Sequence, residues 1–376
     1  MAQRRTDSTR LKKANGNRVF KLIYKDGPIS KPEIAYRLGI SLPTVIQNVK
    51  SLQDAGLIEE CGTLDSTGGR KAVALTCVKN ARLALGVDIT LNHVSVVLVN
   101  MDGSVMESIR EKIPYRKSME YAETLGATVN RFVERSQVDP ESILGMGVSV
   151  PGILSTDGRT LIDSHVLQIQ NVPCAKFVEF CHYPCIFCND ANAAGTAEIW
   201  NRKSIENGVY LSLSNSVGGA ILLNDRIFQG DNQRSGEFGH ITIVRGGRKC
   251  YCGKNGCLDA YCNASVLSNL TDGDLAAFFR LLRGGNAKIV AAWDDYLGYL
   301  ATAVNNLRMS FDCSVILGGY IGAYMEDYVS ELQKRAAELN TFEEDGSYIK
   351  VCSYRTEAAA VGAALMHIAA FIDQVC

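Results

Sequence analysis

One short segment constrains this chain more than any other: His240, followed by Cys250-Tyr251-Cys252-Gly253-Lys254-Asn255-Gly256-Cys257. Three cysteines within eight residues, with a histidine ten residues upstream, can set three thiolates and one imidazole around a tetrahedral ion, and the glycines let the loop fold back. Zn2+ is the expected ion, one per chain. All four positions are protein ligands and no open position remains for water, so its role is structural. The alternative is a buried, reduced cysteine cluster. The chain holds 13 cysteines, an odd number in a long sequence, which argues against a disulfide framework. Cys181, Cys185 and Cys188 lie on or near a hydrophobic strand with no second ligand group and read as packing residues.

At 376 residues the chain is long enough for two to three domains. Hydrophobic residues at 47% and charged residues at 21% exclude a disordered or collagen-like chain. No apolar run approaches the roughly 18 residues of a membrane span, and the polar, basic N-terminus does not read as a signal peptide. A cytoplasmic protein without membrane insertion is expected.

Charge divides the chain unevenly. Residues 1–80 hold 14 Lys+Arg and 7 Asp+Glu, a net of +7, so with a whole-chain charge of -1 the rest carries -8. A basic first fifth on an acidic remainder suggests a polyanion-binding module attached to something else, against the alternative of a solvated charged surface.

Local pattern sharpens this. After a loose basic arm, Val19, Phe20, Leu22 and Ile23 form an apolar helical cluster ending near Asp26-Gly27-Pro28. Ser30 with Glu33 has the capping-box spacing and opens a second helix that Gly39 stops. Ser41 caps a third, with Val45, Val49 and Leu52 facing inward and Ala55-Gly56 closing it. The opposite face shows Pro43, Thr44, Gln47, Asn48 and Lys50. Helix, tight turn, helix presents such a face to the major groove, where Gln and Asn pair with adenine and Thr touches a thymine methyl. A hairpin follows, from Leu57-Ile58 through a basic, glycine-rich tip to Ala72–Leu75. It reads as a wing with Arg70 and Lys71 placed to reach phosphate or the minor groove. Residues 1–80 are thus a winged helix-turn-helix with operator DNA as its partner; a three-helix packing unit or a protein-binding winged helix is the alternative.

From residue 82 the texture changes. Strands at Leu83–Val87, Val94–Val99, Leu144–Val150, Cys185–Phe187, Val209–Leu213, Ala220–Leu223 and Val315–Leu317 alternate with helices at Met119–Ser136, Leu297–Met309 and Tyr324–Leu339. This is an α/β body with mixed sheets. Two polar constellations flank its strands. Asn189-Asp190-Ala191-Asn192 puts an acidic side chain at a strand end, suited to binding hydroxyls or taking a proton from one, or else to capping a helix. Glu237-Phe238-Gly239-His240 sets a carboxylate three residues ahead of the metal-ligating histidine, so a metal would order a binding site without doing chemistry.

Through these residues the chain resembles the ROK family of repressors, open reading frames and kinases over essentially its whole length. The signature Gly239-His240, Cys250, Cys252, Cys257 and Asp259 carries the resemblance, and the winged helix places it beside the family's sugar-responsive regulators. The resemblance implies a two-lobed actin/hexokinase-like, ribonuclease H-like body around a cleft. Residues 81–190 would form the first lobe, 191–356 the second with the zinc loop, and a last helix from about Glu357 to 376 would return to the first. It implies sugar contacts at Asn189, Asp190, Glu237 and His240, and at Asp259 where a glutamate is usual. In kinase members the aspartate of the Asn-Asp pair is the general base, a role that would fall to Asp190.

The nucleotide side departs from kinases of the family. Their Asp-x-Gly-Gly-Thr turn reads Asp88-Ile89-Thr90-Leu91-Asn92 here, and a Gly-Thr-Gly turn reads Ser214-Asn215-Ser216. Side chains replace glycines that would let backbone amides approach phosphates. The expectation is a non-enzymatic, sugar-responsive repressor with no catalytic residue in use, acting on paired DNA half-sites as a homodimer or dimer of dimers. An ATP-dependent sugar kinase with an accessory DNA-binding domain is the competing reading.

Overall fold

The computed structural model describes residues 2–64, 72–201, 207–224, 226–354 and 357–375, with the side chains of residues 2–12 and 201 left aside. The first unit comprises α1 (Ala2–Asp26), β1 (Ile29–Ser30), α2 (Lys31–Leu38), α3 (Leu42–Asp54), β2 (Ile58–Leu64) and β3 (Ala72–Cys77). Helix α1 takes in the basic arm that the sequence left as loose chain. Ser30 accepts the Glu33 N–H and Ser41 the Thr44 N–H, so both expected N-caps form, each worth about 1 kcal/mol. Gly39 closes α2 in the left-handed region. Strands β2 and β3 pair antiparallel and β1 adds to β3, which completes the winged arrangement. The wing tip, with Arg70 and Lys71, lies outside the described residues.

The body continues with β4 (Leu83–Ile89), β5 (Val94–Asn100), β6 (Val105–Glu111), α4 (Met119–Ser136), β7 (Ile143–Val150), β8 (Ile153–Leu154), β9 (Thr160–Ser164), β10 (Ile169–Pro173) and β11 (Cys185–Asn189). Then come α5 (Asp190–Asn201), β12 (Gly208–Leu213), β13 (Val217–Leu223), β14 (Arg226–Phe228), α6 (Asp259–Cys262), α7 (Ala264–Ser268), α8 (Leu275–Arg283) and α9 (Ala287–Phe311). The chain ends with β15 (Ser314–Gly318), α10 (Gly319–Gly322), α11 (Val329–Leu339), β16 (Ile349–Val351) and α12 (Ala358–Asp373). No helix among the described residues is long and apolar enough to cross a membrane.

The two lobes repeat one topology. The first sheet runs β11-β7-β4-β5-β6 and the second β14-β13-β12-β15-β16. In each, the first strand pairs antiparallel with the second on one side and parallel with a later strand on the other. Strand β4 is buried along its whole length because both faces are covered. Leu85 and Val87 point into the core shared with α4, and Ala84 points toward α12. Helix α12 is alanine-rich and lies almost on the sheet: a Cβ at Gly147 would stand 1.9 Å from the Ala363 carbonyl oxygen, so only glycine fits there.

The winged helix is not tethered by a loose linker. Val19, Phe20 and Ile23 of α1 share one buried cluster with Val97, Val99, Val361 and Leu365 of the body. Phe20 meets Phe371 edge-on at 6.4 Å, and Lys21 pairs with Asp373 at 2.6 Å. Asn17 donates to the Asp373 carbonyl and accepts the Val375 N–H. Tyr24 donates to the Met101 carbonyl at 2.6 Å, and its ring lies 6.3 Å from that of Trp200 on α5. Burial pushes the Tyr24 hydroxyl above its ordinary range, which keeps this donor protonated.

Candidate functional site

Between the lobes lies a cleft of about 660 Å³ lined by Asn189, Asp190, Glu237 and His240. Strand β11 ends at Asn189 and α5 begins at Asp190, so the strand-to-helix turn delivers both side chains to its floor. Asn189, not Asp190, caps α5: its Oδ1 accepts the Asn192 N–H at 3.0 Å while its Nδ2 donates to the Gly152 carbonyl. Asp190 takes the Ala191 N–H on Oδ1 at 2.9 Å, and Oδ2 has no hydrogen bond among the described residues. Burial, and then the charge of Asp88, pushes the Asp190 carboxyl up to about 7. Glu237 stands exposed at the rim.

A second chamber of about 300 Å³ opens beside the first and shares Asp190, His165, Tyr251, Ser212 and Ser216 with it. Asp88, Thr90, Leu91, Ser214 and Asn215 form its further walls, which are the two turns where phosphate-cradling glycines are missing. Asp88 is buried, accepts the Ser149 hydroxyl at 2.6 Å and is pushed up to about 6 by that burial.

Sequence reasoning missed the pair that stands where the chambers meet. The rings of His165 and Tyr251 stack at 4.2 Å with an 11° interplanar angle, joining the first lobe's β9–β10 connection to the cysteine loop of the second. Tyr251 is visible in the sequence as the residue between two cysteines; nothing near His165 announces its role.

The cysteine loop brings its four donors together. The ligand atoms of His240, Cys250, Cys252 and Cys257 all lie within 4.8 Å of one another. Cys250 Sγ is 3.8 Å from His240 Nδ1, and Cys252 Sγ is 3.8 Å from Cys257 Sγ. Bonds of about 2.3 Å at tetrahedral angles give edges of roughly 3.8 Å, so the donor set fits a tetrahedral ion. Gly256 has φ +86° and a Cβ there would stand 1.8 Å from the Val244 carbonyl oxygen, so the return of the loop demands glycine. Tyr261 on α6 fastens the loop, accepting the Arg248 N–H at 2.7 Å beneath the Arg248 guanidinium. His240 Nε2 lies 3.2 Å from the Tyr251 hydroxyl, so one imidazole faces the thiols and the cleft-lining tyrosine together. Cys181 and Cys185 pack against the first-lobe core, as their strand setting suggests.

On α3 the exposed face carries Pro43, Gln47 and Lys50, with Thr44 half-buried. Two expectations are corrected. Asn48 does not belong to this face: it is 6% exposed and donates to the Thr44 carbonyl at 2.8 Å, because α3 rotates it toward the core beside Val49. Ile46, 49% exposed, stands there instead and offers an apolar contact of the kind a thymine methyl takes. Asp259 likewise does not line the cleft. It is 2% exposed, accepting the Val217 N–H at 2.7 Å and the Asn263 amide at 3.3 Å, because its short side chain is spent holding the start of α6 to β13.

A winged helix built onto a two-lobed body, with an Asn-Asp pair in the cleft and a Cys/His cluster beside it, defines a DNA-binding fold fused to a kinase-like ligand-binding fold. The chain belongs to the ROK family, whose profile matches residues 84–370, and a winged helix-turn-helix DNA-binding profile matches residues 15–59. It is 27% identical over 274 residues to the xylose repressor of Bacillus subtilis (strain 168), spanning 69% of this chain and 68% of that one. It is 26% identical over 260 residues to the N-acetylglucosamine repressor of Escherichia coli O157:H7, spanning 68% and 64%. Among solved structures, a ROK family transcriptional regulator homologous to the Escherichia coli MLC protein aligns over 97% of this chain and 98% of that one, with TM-score 0.75 and 21% identity. A ROK glucokinase from Streptomyces griseus, in complex with glucose and AMPPNP, aligns over 76% and 98%, with TM-score 0.63 and 20% identity.

Proposed function

We propose that this protein is a sugar-responsive, DNA-binding repressor of carbohydrate-metabolism genes, whose body binds sugar without transferring phosphate. One observation carries the reading: α5 starts at Asp190 in the cleft and, in its last turn, sets Trp200 against Tyr24 of the winged helix. Roughly 15 Å of rigid helix separates the two, so a ligand that shifts the start of α5 acts on the DNA-binding unit without an intervening linker. The relatives named as xylose and N-acetylglucosamine repressors support the same reading.

Asn189, Asp190, Glu237 and His240 hold the sugar in this reading, Asp190 through a carboxylate that accepts hydroxyl donors. Zn2+ sits on His240, Cys250, Cys252 and Cys257, where it supplies a structural cross-link to the loop that carries Tyr251. Pro43, Thr44, Gln47 and Lys50 face DNA, with Arg70 and Lys71 of the wing reaching the backbone or minor groove. A homodimer or dimer of dimers on two half-sites in the cytoplasm completes the picture.

Fluorescence anisotropy on DNA from upstream of the protein's own gene, at fixed near-physiological salt, tests this. Tight, sequence-selective binding that one sugar changes tenfold or more is the expected result, equivalent to about 1.4 kcal/mol of coupling. Weak binding indifferent to sequence and sugar, together with ATP-dependent phosphorylation of a hexose, would replace the regulator by a kinase.

A further inference from the structure

The cleft is two ligand-sized spaces. At about 660 and 300 Å³ each chamber falls in the roughly 300–1,000 Å³ range of small-molecule sites. They adjoin, and Asp190, His165, Tyr251, Ser212 and Ser216 line both. A single sugar ring at Asn189 and Asp190 leaves the small chamber to another group.

The chemistry of the small chamber says what that group is. Thr90, Ser214, Ser216 and Asn215 offer hydroxyls and an amide, while Leu91 and Tyr320 offer apolar surface. No lysine or arginine is among the described residues that line it, whereas Asp88 and Asp190 both do. The Arg110 guanidinium nearby is already engaged over the Tyr320 ring, 5.6 Å from its centroid. Among the described lining residues an anion would meet two carboxylates and no lysine or arginine, whereas an uncharged polyol finds donors and acceptors in both senses with a ring face beside them.

Resting on the reading of the large chamber as a sugar site, we propose that the effector is a neutral saccharide of at least two rings. One ring is held at Asn189 and Asp190. The next passes the His165–Tyr251 pair into the small chamber, where the serine, threonine and asparagine side chains receive its hydroxyls. The residues that replace the glycines of a phosphate cradle are then contacts for a second sugar ring.

Calorimetric titration of the full chain with paired probes tests this: glucose and cellobiose, xylose and xylobiose, N-acetylglucosamine and chitobiose, with glucose 6-phosphate as the anionic control. At least one disaccharide is expected to bind tenfold or more tighter than its own monomer. Asn215→Trp and Leu91→Trp fill the small chamber from opposite lobes at exposed positions. Each is expected to reduce the disaccharide to the affinity of its monomer while monomer binding stays within twofold, which also shows that the variant is folded. Monomers that bind as tightly as their dimers, dimer binding untouched by both tryptophans, or a preference for glucose 6-phosphate would overturn the inference. If no probe binds the wild-type chain, the sugar reading of the large chamber falls with it.

Discussion

The rings of Tyr24 and Trp200 meet with centroids 6.3 Å apart, which puts the first helix of the winged unit against the helix that begins at Asp190. Trp200 also abuts Gly103, whose carbonyl accepts the Tyr354 hydroxyl at 2.9 Å, so this end of α5 is braced from two sides. Sugar can change DNA affinity only through a difference in its own affinity for two arrangements of the protein, and this contact is where those arrangements would differ.

Trp200→Leu therefore uncouples rather than disables. In anisotropy measurements, DNA affinity without sugar is expected to stay within about threefold. The change produced by saturating sugar is expected to fall from tenfold or more to less than threefold, a loss of roughly 1 kcal/mol of coupling. A full sugar response in this variant would remove α5 from the pathway.

Asp190 links ligand binding to pH. Its folded-state value of about 7 lies above the ordinary carboxylate value. Its contribution to stability is therefore complete below the unfolded value near pH 4 and is lost as pH rises through 7. Asp190→Asn should raise the melting temperature at pH 8, with the gain shrinking as pH falls toward 4. Sugar affinity runs the other way, because the ionised carboxylate is the stronger acceptor. Wild-type affinity measured by calorimetry should fall between pH 8 and 6, and Asp190→Asn should weaken it at least tenfold at pH 8.

Removing metal should separate sugar response from DNA contact. Cys257→Ser is expected to lose bound zinc, read by elemental analysis as one ion per chain in the wild type and far less in the variant. Tyr251 would then lose its fixed place against His165, and sugar affinity should drop tenfold or more. DNA affinity without sugar should change little, since the winged helix packs on α12 and α5, remote from the loop.

The adjacent polar residues Gln47 and Asn48 of α3, one exposed and one buried, should behave differently. Gln47→Ala is expected to lower operator affinity by about 1–3 kcal/mol with folding intact. Asn48→Ala removes a buried hydrogen bond to the Thr44 carbonyl, so it should lower the unfolding free energy by roughly 1 kcal/mol in denaturant titration. If Asn48→Ala instead reduced operator affinity with unchanged stability, the inward placement of Asn48 would be wrong.

Short-range chemistry made much of this protein legible in its sequence. The caps at Ser30 and Ser41, the helix at Met119–Ser136 and the spacing of His240, Cys250, Cys252 and Cys257 depend on residues a few positions apart, and each appears in the structure where local rules place it. The turns lacking phosphate-binding glycines were equally readable, because a side chain fills space wherever the backbone goes. What only the tertiary structure decided depends on contacts between distant segments. Asn48 turns inward by the rotation of α3 against α1, and Asp259 is claimed by Val217, 42 positions away. His165 finds Tyr251 only because the lobes face each other. Asp190 and Tyr24 are joined through α5 because α5, α12 and α1 pack around one buried cluster, a long-range arrangement that no local periodicity encodes.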